Sequence, residues 1–128
     1  MLTITPIYAG LAAILFASLS FRVSVLRFRY RVSAGDGGEK SLAKAIRLQG
    51  NTSEYLPLGL LLLTMLELTG GASWLVHLFG VMLVGGRILF LIGFGPKKQI
   101  LLLRQTGILM TYGMIAFSGA YLLITSLI

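Results

Sequence analysis

The fold turns on the stretch Ala43-Lys44-Ala45-Ile46-Arg47-Leu48-Gln49-Gly50-Asn51-Thr52-Ser53-Glu54-Tyr55-Leu56-Pro57, which runs without a break into an apolar block at 58–66. Taken as a helix, it sets Arg47, Asn51, Glu54 and Tyr55 at i, i+4, i+7 and i+8, on one face. A cation, an amide, a carboxylate and a phenol on one stripe do not belong on a lipid-facing helix. Each charge at membrane depth costs roughly 2.5–3.5 kcal/mol on insertion scales. Such groups turn toward a bundle interior or a polar cavity. The stripe is therefore the candidate site.

Outward from this stretch the chain is apolar. Of 128 residues, 56% are hydrophobic and 12% charged. Soluble domains average about 45–50% and about 25%. The excess points to an integral membrane protein, with room for about four spans of ~20 residues. The spacing predicts an all-α, four-helix membrane bundle forming a single domain over 1–128, with spans at about 4–26, 40–68, 72–94 and 99–127. The N-terminal run has no basic residue before it and no small-residue cleavage pattern after it, so it is expected to be the first span rather than a secretory signal.

Punctuation between the spans is clear. Gly35-Asp36-Gly37-Gly38 has turn chemistry. Thr69-Gly70-Gly71 should stop the second helix, and Gly93, Gly95 and Pro96 the third. Gly80, Gly85, Gly86 and Gly119 are expected at helix contacts. Trp74, Tyr8 and His77 are expected at the membrane interface, and Glu67 near the end of span two is expected to reach water.

The net charge is +7, and all 11 Lys and Arg lie at 22–47 or 87–104. With four spans, both clusters fall on one side, which the positive-inside rule makes cytoplasmic; both termini are then outside. The basic residues flank apolar spans, so no nucleic-acid partner is expected. There is no cysteine, one histidine and four acids. That excludes disulfides and a protein thiol, and makes a protein-built metal site improbable. There is also no paired-carboxylate site, serine elbow or phosphate loop. What remains is Arg31, Arg47, Arg87 and Arg104 at one level, with the amide, acid and tyrosine of the stripe. Such a set can hold a small zwitterion, arginines on its carboxylates and the acid on its ammonium. If that ligand carried a thiol, a nearby arginine would raise its thiolate fraction. An apolar co-substrate could arrive from the bilayer.

Arg47-x-Gln49-x-Asn51-x-Ser53-Glu54-Tyr55-x-Pro57 on the second of four spans resembles the signature of the membrane-associated eicosanoid and glutathione metabolism family. The Gly35-Asp36-Gly37-Gly38 loop is similar to that of a bacterial inner-membrane subgroup. The resemblance implies a homotrimer with glutathione as co-substrate between subunits near the cytoplasmic face. It implies a transferase or peroxidase acting on lipophilic small molecules or lipids. Arg31, Arg47, Gln49, Asn51, Glu54, Tyr55 and Arg87 would hold glutathione, and Arg104 would stabilise its thiolate. One departure stands out. The tyrosines found in glutathione-binding members three and seven residues after the third-span arginine are Phe90 and Phe94 here. A non-catalytic scaffold or lipid-binding protein of the same fold is the alternative. A four-span drug exporter is disfavoured, because span one carries no acid.

Overall fold

The computed structural model describes residues 1–94 and 100–128. The expected break at Gly95 and Pro96, the basic pair Lys97 and Lys98, and Gln99 lie outside the described residues. The apolar segments become four helices: α1 (Thr5–Tyr30), α2 (Lys40–Leu68), α3 (Ser73–Gly93) and α4 (Leu101–Leu127). Pro6 sits in the first turn of α1, where its missing N–H costs nothing. The helix then continues past the apolar run through Arg27 and Arg29, whose charges complement its C-terminal dipole. Arg31 ends it in the left-handed region at φ 58°, and Val32 N–H donates to the Arg27 carbonyl at 3.0 Å. At the end of α2, Gly70 takes φ 84° and Gly71 N–H closes onto the Leu66 carbonyl at 2.9 Å. Glycine reaches that left-handed conformation without a Cβ clash.

The helices run up, down, up, down. At the far end, the carboxylate of Glu67 on α2 meets the first residues of α1. At the basic end, Tyr30 and Ser41 join α1 to α2 through their hydroxyls at 2.9 Å. Buried residues on α2 recur at Leu42, Ala45, Leu48, Thr52, Leu56, Gly59, Leu63 and Leu66, the three-and-four spacing of one helix face. Leu56, Leu63 and Leu66 pack on Ala12 of α1, Val76 and Leu83 of α3, and Met114 of α4; nearer the basic end Leu42 and Ala45 pack on Leu26 of α1, and Leu48 on Phe90 and Phe94. Three helices, α1, α3 and α4, are long and apolar enough to cross a membrane. The polar first half of α2 keeps it out of that group, yet α2 runs the same height, antiparallel to α1.

Glycines set how closely the helices meet. A Cβ on Gly107 would strike the Gly86 carbonyl and come within 2.6 Å of the Phe90 nitrogen, so α3 and α4 touch backbone to backbone. Gly80 makes room for the ring of Tyr8. Gly119, by contrast, faces open space and holds no contact, and Gly85 makes only ordinary ones.

The far end adds two contacts that the sequence does not show. Tyr8 is buried in the bundle, and its hydroxyl meets His77 Nδ1 at 2.8 Å. Glu67 does not simply reach water. It accepts backbone hydrogen bonds from Thr3 (3.0 Å), Ile4 (2.8 Å) and Thr5 (2.8 Å), and one from the Thr3 hydroxyl (3.2 Å). A carboxylate from another helix thus caps α1, whose own N-cap residue, Ile4, offers no side-chain acceptor.

Candidate functional site

In the basic half, α2, α3 and α4 converge on one side chain. Arg87 is fully buried, at 0% exposure. Its Nη1 donates to Asn51 Oδ1 on α2, and its Nε donates to Thr111 Oγ1 on α4 at 3.2 Å. The guanidinium lies over two rings, Phe90 at 4.8 Å and Tyr55 at 5.4 Å from their centroids. Thr111 is itself anchored, donating to the Gly107 carbonyl at 3.0 Å. The Gly86–Gly107 crossing brings α4 close enough for this bond to form.

None of the four acids reaches Arg87. Glu67 caps α1, the Asp36 carboxylate accepts from Gly38 N–H at 2.9 Å, and Glu39 and Glu54 are exposed. Arg87 Nη2 has no hydrogen-bond partner among the described residues. A buried cation without a carboxylate bears a desolvation penalty of several kcal/mol. Two hydrogen bonds, and cation–π contacts of about 0.5–2 kcal/mol each, offset part of it. Arg87 is held in place yet left short of one partner.

The remaining candidates fall into three groups. Tyr55 lies beside Arg87 and meets Tyr112 of α4, hydroxyl to hydroxyl, at 3.3 Å. Arg104 lies nearer the basic end, its guanidinium 4.2 Å from the Phe94 ring centroid, with Lys44 Nζ 5.2 Å from the same centroid. Gly93 lets this happen: a Cβ there would sit 2.5 Å from the Arg104 nitrogen. Arg31, Arg47 and Glu54 are exposed on the single chain, and Gln49 turns toward α1, donating to Ser20 Oγ at 3.4 Å. The structure thus brings Asn51, Tyr55 and Arg87 together, places Arg104 on a neighbouring ring, and leaves Arg47 and Glu54 on the outer face of α2.

Sequence reasoning missed Thr111 and Tyr112. Both are neutral, and only the rotation of α4 about its axis points them at Arg87 and Tyr55. It also read Phe90 and Phe94 only as missing hydroxyls. Here the two rings pack against each other, 5.7 Å between centroids, and serve as platforms for Arg87 and Arg104.

Residues 5–124 match the MAPEG family. The chain is 42% identical over 91 residues to inner membrane protein YecN of Escherichia coli strain K12, covering 71% of this chain and 70% of that protein. The counterpart from Escherichia coli O6:H1 strain CFT073 matches to the same extent. With a family match over nearly all of its helical length, this chain belongs to the MAPEG family.

Proposed function

We propose that the protein is a glutathione-dependent transferase or peroxidase of the bacterial inner membrane, working on lipophilic electrophiles. The observation that carries this is Arg87, a fully buried cation with no acid partner and, among the described residues, no hydrogen-bond partner at Nη2. A carboxylate from a bound tripeptide would supply what the protein omits. Asn51 and Thr111 fix the guanidinium, and Tyr55 stands over it.

The site is completed between subunits of a homotrimer. Arg47 and Glu54 sit on the outward face of α2, in line with exposed Leu58, Leu61, Met65 and Leu68. Positions 47, 51, 54, 58, 61, 65 and 68 alternate in steps of four and three, the seam spacing of a helix that packs on another. Charges on that seam at membrane depth would be costly against lipid. A neighbouring subunit and a zwitterionic ligand relieve both costs. Arg31, Arg47 and Gln49 then bind the ligand's carboxylates and backbone, and Glu54 its ammonium. Arg104 faces the thiol and favours its ionised form; the thiolate sulfur attacks the electrophilic carbon, and the C–S bond forms as the leaving group departs with its electron pair or a polarised double bond takes it up. The basic end is the cytoplasmic face, with both termini opposite.

A non-catalytic scaffold or lipid-binding protein is the alternative, and one observation favours it: Phe90 and Phe94 are cation platforms with no hydroxyl to offer a thiolate. Glutathione binding by the detergent-purified protein separates the two. Calorimetry should show binding, with thiolate absorbance near the ultraviolet edge that Arg104→Ala loses. No binding at millimolar glutathione, with the oligomer intact, leaves the scaffold.

A further inference from the structure

We propose that the hollow at the basic end of α1 binds an anionic phospholipid, with Arg27 and Arg29 on its phosphate and Phe28 against its upper acyl chain. This goes beyond the glutathione reading and does not rest on it. The hollow measures about 730 Å3, and its lining includes Ser24, Arg27, Phe28, Arg29 and Ser33. It lies where the left-handed Arg31 turns the chain off the helix axis. Arg27 Nη1 donates to the Gly35 carbonyl at 2.7 Å and ties the following loop over the helix end. The left-handed turn at Arg31 and the Arg27 side-chain bond to the loop backbone together shape the concavity.

Its chemistry fits a phosphodiester. Arg27, Arg29 and Arg31 line it together with two serine hydroxyls, and no carboxylate does. The nearby acid, Asp36, is engaged with the Gly38 N–H. Below the hollow the outer side of α1 is apolar: Phe21 is 71%, Val25 42% and Phe28 89% exposed. The sequence repeats Phe-Arg at 21–22 and 28–29, one heptad apart, so aromatic and cation recur on one side of the helix. A soluble anion has no use for a phenyl wall beneath its site. A lipid does, because its phosphate lies at the level of the arginines and its chains lie along the rings. Basic pockets at helix ends recognise anionic headgroups in this way, each arginine adding about 1 kcal/mol, or about five-fold in affinity.

Native mass spectrometry of the full-length protein, released from detergent with added phosphatidylglycerol or phosphatidylcholine, tests this. Wild type should retain phosphatidylglycerol in clear preference. Arg29→Gln should weaken that preference about five-fold. It leaves the Arg27–Gly35 tie in place, so the loop keeps its shape. Phe28→Ser should lower retention of both lipids alike and leave the preference unchanged. Equal retention of the two lipids by wild type would overturn the proposal, as would an unchanged preference in Arg29→Gln. Displacement of the lipid by inorganic phosphate would assign the hollow to a soluble anion. Displacement by glutathione, acting through the shared Arg31, would assign it to the tripeptide. Both overturn the lipid proposal, and only the second leaves the glutathione reading strengthened.

Discussion

At the far end of the bundle the Glu67 carboxylate accepts from three backbone N–H groups and a hydroxyl of the α1 N-terminus. In the basic half the Arg87 guanidinium is more deeply buried, has no acid, and leaves Nη2 without a partner among the described residues. The hydroxyl of Thr52, next to Asn51 in the chain, is also buried without a partner among the described residues. Both charges sit where helices meet, but only one is saturated by the fold. A saturated charge serves stability. A buried charge held in geometry yet left under-satisfied contributes little to stability and remains available to a ligand. The division follows the molecule: the far end locks α1, α2 and α3 together, while the basic half keeps its polar groups waiting.

The largest effect should come from the crossing that holds Thr111 against Arg87. Gly107→Val places side-chain atoms where the Gly86 carbonyl and the Phe90 nitrogen stand, and backbone cannot rotate away. The variant should lose about 3 kcal/mol in thermal unfolding followed by circular dichroism in detergent. Gly119→Ala, which meets nothing, should leave the unfolding temperature unchanged or slightly higher. Similar losses in both would mean that α3 and α4 do not touch as described. Next in size is Glu67→Ala, which strips the cap from α1 and should cost about 2 kcal/mol by the same measurement. Glutathione affinity should not follow it, because the lesion is at the opposite end. If affinity falls in step with stability, the two ends are one cooperative unit and the contrast between them fails.

Much of this organisation was legible in the sequence because it is periodic. The apolar runs and the Gly-rich breaks mark four helices, and the stripe at Asn51 and Tyr55 does converge with Arg87. What was hidden depends on pairs far apart in the chain. Nothing local to Glu67 says that it caps residues more than 60 positions earlier. Nothing local to Tyr112 or Thr111 marks them, since neutral hydroxyls on an apolar helix raise no flag until the rotation of that helix is known. Arg87 could be singled out as an intramembrane charge, but its complete burial could not. That depends on Gly86 and Gly107 drawing α4 over it.

Arg87→Met sharpens the contrast from the other side. Methionine of similar length fills the space, removes the desolvation penalty and spares both rings. Thermal stability should stay level or rise, as when buried ions are exchanged for apolar residues elsewhere. Glutathione binding measured by calorimetry should disappear. A loss of stability comparable to that of Glu67→Ala would make Arg87 a structural strut like its counterpart, and the proposal that it awaits a carboxylate would fall.

The smallest effect is the most local. Tyr112→Phe removes one hydroxyl from the pair with Tyr55, at an exposed position, so the unfolding temperature should not move. If Tyr55 holds the ligand and Tyr112 only aims it, glutathione affinity should weaken about three-fold, the value of one modest hydrogen bond. The double variant Tyr55→Phe/Tyr112→Phe should then bind no worse than Tyr55→Phe alone. The second hydroxyl has nothing to act on once the first is gone. Additive losses would instead put Tyr112 in direct contact with the ligand and draw α4 into the binding surface beyond Arg104. No loss in either single variant would remove the tyrosine pair from the site and leave Arg87 and Asn51 as its core on α2 and α3.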